Sequence, residues 1–82
     1  METILFALIT FSSGAEVRPL QDFQSQTACQ TEQRELLRDG IWALCATEGY
    51  ELTATRERMA CDIAKVWPTD TFVEFCAALP RT

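Results

Sequence analysis

The sequence predicts a small α+β domain, a short antiparallel sheet packed against two or three helices in the order β-β-α-β-α-α, forming one domain over residues 1–82. Three observations carry this expectation. Residues 4–11 and 41–47 are apolar on both alternating sets, as in strands covered on both faces. Residues 26–39 and 54–67 place apolar side chains at helical spacing behind Ser or Thr caps. The composition, 48% hydrophobic and 23% charged with three Gly and three Pro, is that of a folded domain and not of a disordered tail.

The first strand is ILFALITF (residues 4–11), whose Ile, Leu, Phe and Thr suit a pleated surface. A secretory signal is the competing reading of residues 1–15, with Ser13 and Ala15 standing like the small residues before a cleavage point. Against it, Glu2 and no Lys or Arg precedes the apolar run, whereas a signal begins positively charged. Eight residues also fall far short of the roughly twenty that cross a bilayer, so no membrane partner is expected. After a Ser-Ser-Gly-Ala turn, residues 17–23 form a weaker strand, placed at an edge because Pro19 has no N–H to give to a ladder.

Ser25 or Thr27 caps the first helix, Thr27 with Gln30 in the manner of a capping box, and Gly40 ends it after Asp39. Its periodicity places Ala28, Cys29, Gln33, Leu36 and Leu37 toward the core and Thr31, Arg34, Glu35 and Arg38 toward solvent. IWALCAT (residues 41–47) then returns beside the first strand, and Glu48-Gly49-Tyr50 turns the chain. Thr53 or Thr55 caps the second helix, which breaks before Pro68. A third, short helix from Thr69 or Asp70 carries Phe72, Phe75, Cys76 and Leu79 along one stripe up to Pro80. CQTEQREL (residues 29–36) echoes in CATEGYEL (residues 45–52), but one copy falls on a helix and the other leaves a strand, so the echo is read as coincidence.

The four cysteines, Cys29, Cys45, Cys61 and Cys76, are 16, 16 and 15 residues apart. Zinc sites made of thiolates offer close pairs two to four residues apart, which this spacing lacks; no metal is expected. If oxidised, the four allow three connectivities, of which the adjacent pairing, Cys29 with Cys45 and Cys61 with Cys76, is geometrically simplest. In a reducing compartment they serve as small apolar core residues. Cys61 lies nearly opposite the stripe of Met59, Ala60, Ile63, Val66 and Trp67, among Glu57, Arg58, Asp62 and Lys65. The two cations favour a thiolate there, which admits a thiol enzyme as a third reading behind a residue that is exposed or covered by the last helix.

The chain has no His, which removes the commonest general base and the His-paired nucleophiles, and no Gly-rich phosphate loop occurs. No enzymatic activity and no cofactor are expected. A net charge of −5 without a basic run argues against direct nucleic-acid binding. Glu48, Tyr50, Glu51 and Glu57 form an acidic-aromatic cluster after the third strand, and Trp67 beside a helix break can anchor a partner; these five are the candidate partner-binding residues.

Residues 5–10, with Gln26, Cys29, Gln33, Arg34 and Cys45, resemble small uncharacterised accessory proteins of lambdoid phages and prophages, which are similar in a Leu-Phe-Ala-Leu strand, a Gln/Cys-rich helix start, a Gln-Arg step and a further Cys. The likeness covers roughly the first 45 residues, and the part carrying Cys61 and Cys76 departs from it. The resemblance implies a non-catalytic accessory protein of the host cytoplasm that binds a host protein or complex, including as an inhibitor of a defence or nucleic-acid-processing complex. The alternative is a secreted, disulfide-stapled effector or toxin-like domain with residues 1–15 removed as a signal peptide.

Overall fold

A computed structural model describes residues 3–77. A hairpin of β1 (Thr3–Phe11) and β2 (Gly14–Phe23) leads into α1 (Gln26–Arg38), then β3 (Ala43–Ala46), α2 (Tyr50–Thr53), α3 (Arg56–Ala64) and α4 (Asp70–Ala77). The sheet is antiparallel in the order β2-β1-β3. The α+β class and the sequence of strands are as predicted, with β3 beside β1. The added element is α2, a single turn where only a reversal was expected. Gly49, at φ 91°, redirects the chain there, and the Ala54 N–H then closes on the Tyr50 carbonyl at 3.0 Å.

β1 is the central strand, and its alternation divides the molecule into layers. Ile4 and Phe6 face a large core with Val17, Leu44, Met59, Ala60, Ile63 and Phe72, covered by α3 and α4. Leu5 faces the other way, into a smaller cluster with Cys29 and Ala43 under α1. Both faces are covered only from Ile4 to Ala7; Leu8 and Ile9 are half-buried, and Phe11 is 42% exposed. The expectation of a fully buried strand therefore fails at the hairpin tip, which outruns the helical layers.

Backbone alternation accounts for Pro19. The Leu8 N–H donates to the Trp42 carbonyl at 3.0 Å, so even-numbered β1 residues bond toward β3 and odd-numbered ones toward β2. Pro19 stands opposite Phe6, an even residue, so its nitrogen points to the open edge and its missing N–H costs no ladder bond.

The helix ends correct several boundaries. The Ser25 hydroxyl, not Thr27, caps α1, accepting from the Ala28 N–H at 3.1 Å, and Ala28 itself is exposed. At the other end Gly40 N–H bonds Leu37 and Ile41 N–H bonds Leu36, a Schellman closure that uses Gly40 at φ 84°. That closure occupies Ile41, which is why β3 begins at Ala43 and not at residue 41. Thr55 caps α3 by accepting from Arg58, and the helix ends at Ala64, with Trp67 N–H turned back to the Ile63 carbonyl. On α4, Phe72 is buried and Phe75 and Cys76 are half-buried, while Leu79 and Pro80 lie outside the described residues.

Disulfides join Cys29 to Cys45 and Cys61 to Cys76. The first ties α1 to β3 on one face of the sheet, and the second ties α3 to α4 on the other. Cys61 is not an isolated thiol on a polar helix face, because α4 packs over that side and supplies Cys76. The two copies of the sequence echo occupy different elements and are joined to each other through their leading cysteines.

Candidate functional site

A cleft opens where the chain leaves β3 and crosses toward β2. Ile4 and Ala46 pair across the sheet; the chain then turns through Thr47, Glu48 and Gly49 and enters α2, which packs near β2. The turn roofs a cleft of about 580 Å³ lined by Ile4, Pro19, Asp22, Glu48, Gly49 and Glu51, with Thr47 at its side. Ile4 and Pro19 supply apolar surface, Asp22, Glu48 and Glu51 supply three carboxylates, and no Lys or Arg lines it.

Asp22 reaches this cleft through a bulge. Pairing runs evenly from the hairpin turn, Thr10 with Ala15, Leu8 with Val17 and Phe6 with Pro19, and then Leu5 meets Gln21, leaving Leu20 as an extra residue. The register beyond it puts Asp22 opposite Ile4, on the cleft face. A regular ladder in which Leu20 took its own partner would carry Asp22 opposite Thr3, on the α1 face.

The five residues singled out in the sequence do not form one patch. Glu48 and Glu51 line the cleft together. Tyr50, between them, turns inward: its ring lies 5.3 Å from that of Phe6, and its hydroxyl donates to Asp62 Oδ2 at 2.7 Å, which ties α2 to α3. Burial, and then the bond to Asp62 and its negative charge, push the Tyr50 phenol above its ordinary pKa, with Arg58 opposing. Glu57 is half-buried on α3, and Trp67 is half-buried against the large core. Sequence reading missed Asp22 and Pro19 as cleft residues. Pro19 signalled the edge strand, but only long-range pairing and the bulge bring Asp22 to Glu48 and Glu51.

A second cleft of about 340 Å³ lies between the hairpin and the end of α1, with Leu8, Thr10, Ile41, Trp42 and Arg56 along it. Trp42 packs edge-on against Phe72 and Phe75, each at 5.1 Å, and the Arg56 guanidinium lies over Trp42 at 5.6 Å and over Phe75 at 4.8 Å. This arrangement holds α4 against the rest of the molecule.

The acidic cleft can receive a long cationic side chain, its methylenes along Ile4 and Pro19 and its charge among the carboxylates. Among the described residues no group of three or more His, Cys, Asp or Glu side chains is arranged to hold a metal ion. No helix among them is long and apolar enough to cross a membrane. No family model, curated protein or solved structure matches the chain.

Proposed function

We propose that this chain is a small non-catalytic accessory protein of phage or prophage type that binds a host protein or complex through its acidic cleft, as an inhibitor of a defence or nucleic-acid-processing machine. The observation that carries the reading is the gathering of Asp22, Glu48 and Glu51 around the apolar surface of Ile4 and Pro19. A Lys or Arg of the host protein is the group this chemistry accepts, and partners that handle nucleic acid present such residues in number. A net charge of −5 adds long-range attraction to a basic surface. The resemblance of residues 5–45 to accessory proteins of lambdoid phages supports the host cytoplasm as the place of action.

The test is affinity capture from host extract with the wild-type chain and with an Asp22→Asn/Glu48→Gln/Glu51→Gln variant. A host protein held by the first, released at raised salt and missed by the second is the expected result. Equal capture by both removes the cleft from the reading, and turnover of a substrate by the isolated chain removes its non-catalytic character.

The secreted effector reading has the two disulfides in its favour, since such bonds persist in oxidising compartments. Cleavage after residue 15 would take away β1, with Phe6 and Ala7, both completely buried. The burial of β1 therefore supports the intact chain. Intact mass from the natural producer separates the two: a chain shortened by about fifteen residues overturns the cytoplasmic proposal.

A further inference from the structure

The two disulfides sit in different chemical surroundings. Cys29 is completely buried in the small cluster with Leu5 and Ala43, and Cys45 is half-buried beside it. Cys61 and Cys76, which join α3 to α4, are both half-buried. A reducing thiolate attacks along the axis of the bond and expels the far sulfur as a thiolate, so both the approach and the leaving group decide the rate. Attack on Cys45 would expel a Cys29 thiolate into an apolar cluster, where a bare charge is poorly stabilised. Attack on Cys76 expels Cys61, which is partly solvated and has Arg58 one helical turn before it and Lys65 one turn after. Of these two cations, Lys65 is shared with Asp62 at 3.6 Å.

The consequence falls on α4. An eight-residue helix is shorter than the roughly 12–15 residues that hold a helix in water by itself, so α4 exists because it is docked. Its docking groups are Phe72, buried in the large core and edge-on to Trp42, and Phe75 between Trp42 and Arg56, together with the bond from Cys76 to Cys61.

We propose that the Cys61–Cys76 disulfide is a redox latch: a small dithiol opens it before the Cys29–Cys45 bond, releases α4 from α3, and uncovers Trp42 and the buried side of α3 while the sheet and α1 stay folded. The reductant thiolate attacks Cys76 Sγ, forming a mixed disulfide as Cys61 leaves as a thiolate. The second thiol of the reductant then displaces Cys76, so that the dithiol becomes a cyclic disulfide and the protein gains two thiols. This latch is independent of what the acidic cleft binds.

The experiment is a stepwise titration of the oxidised protein with dithiothreitol, followed by alkylation mapping, intact mass and hydrogen exchange. A two-thiol species alkylated at Cys61 and Cys76 is expected first, with amides of residues 70–77 exchanging roughly a hundredfold faster, the equivalent of losing a 15-residue closed loop, and residues 3–46 unchanged. In a Trp67→Phe background, Trp42 emission shifts to the red at the same step. The Cys61→Ser/Cys76→Ser variant shows both changes without reductant. Alkylation of Cys29 and Cys45 first overturns the proposal, as does unchanged protection of residues 70–77 in the two-thiol species. Loss of protection across the sheet in the double variant also overturns it.

Discussion

Tyr50 and Gln33 each join two elements with one side-chain hydrogen bond. Because burial and Asp62 raise the Tyr50 phenol above the ordinary value of about 10, the folded state holds that proton more tightly than the unfolded chain does. The stabilisation is complete below about pH 10 and is lost as pH rises beyond it. Tyr50→Phe is expected to cost about 1 kcal/mol at neutral pH and to remove this alkaline loss, which urea denaturation between pH 8 and 11.5 will measure. Gln33 is 3% exposed and donates from Nε2 to the Ala43 carbonyl at 3.1 Å. Ala43 stands opposite Ala7, an odd β1 residue, so that carbonyl lies on the free edge of β3, and Gln33 closes part of an edge that another strand would otherwise pair with. Gln33→Ala is expected to cost about 2 kcal/mol and to raise the tendency to aggregate, checked by thermal denaturation and light scattering. The inward direction of Gln33 was readable from helical period. Its acceptor was not, and neither was the partner of Tyr50, because both lie on other elements ten or more residues away.

At the scale of elements, local signals set the types and long-range packing set the limits. Pro19 announced an edge strand because its effect is local, a missing donor. Nothing in the sequence marks Leu20 as a bulge, since the extra residue becomes visible only when two strands are laid side by side. Leu20 is 50% exposed, so deleting it keeps both faces of β2 in register and is expected to change stability by no more than about 1 kcal/mol. Inserting one Ala between Gln21 and Asp22 turns Asp22 onto the α1 face and removes Phe23 from the small cluster. That insertion is expected to cost about 2 kcal/mol and to weaken capture of a basic partner, read by denaturation and by affinity capture. The cap of α1 is decided in the same way: both Ser25 and Thr27 have the chemistry, but the bond from Ala28 selects Ser25. Ser25→Ala should therefore cost about 1 kcal/mol by thermal melting, and Thr27→Ala markedly less.

At the scale of the molecule, one strand divides two small cores and each helical layer carries one disulfide. A chain of 82 residues buries only about 60% of its unfolded surface, so cross-links matter more here than in a larger domain. Closing a loop of about 15 residues stabilises by about 3 kcal/mol, and replacing Cys29 and Cys45 together by Ser is expected to lower stability by about that amount in oxidising denaturation experiments. A chain lacking residues 1–15 is expected to lose the sheet signal in far-UV circular dichroism, because β2 and β3 flank β1 and do not pair with each other. Apolar alternation, helical period, caps and Pro19 were enough to determine the α+β class, the order of the strands, the edge position of β2 and the acidic character of the surface, because each acts over a few neighbouring residues or through composition. Cysteine spacing already favoured the adjacent pairing that the structure shows, whereas the tertiary structure alone decided that Asp22 joins Glu48 and Glu51, that Tyr50 turns inward and that α4, and not solvent, covers Cys61. Those outcomes depend on groups far apart in the chain, whose meeting is set by how the layers pack.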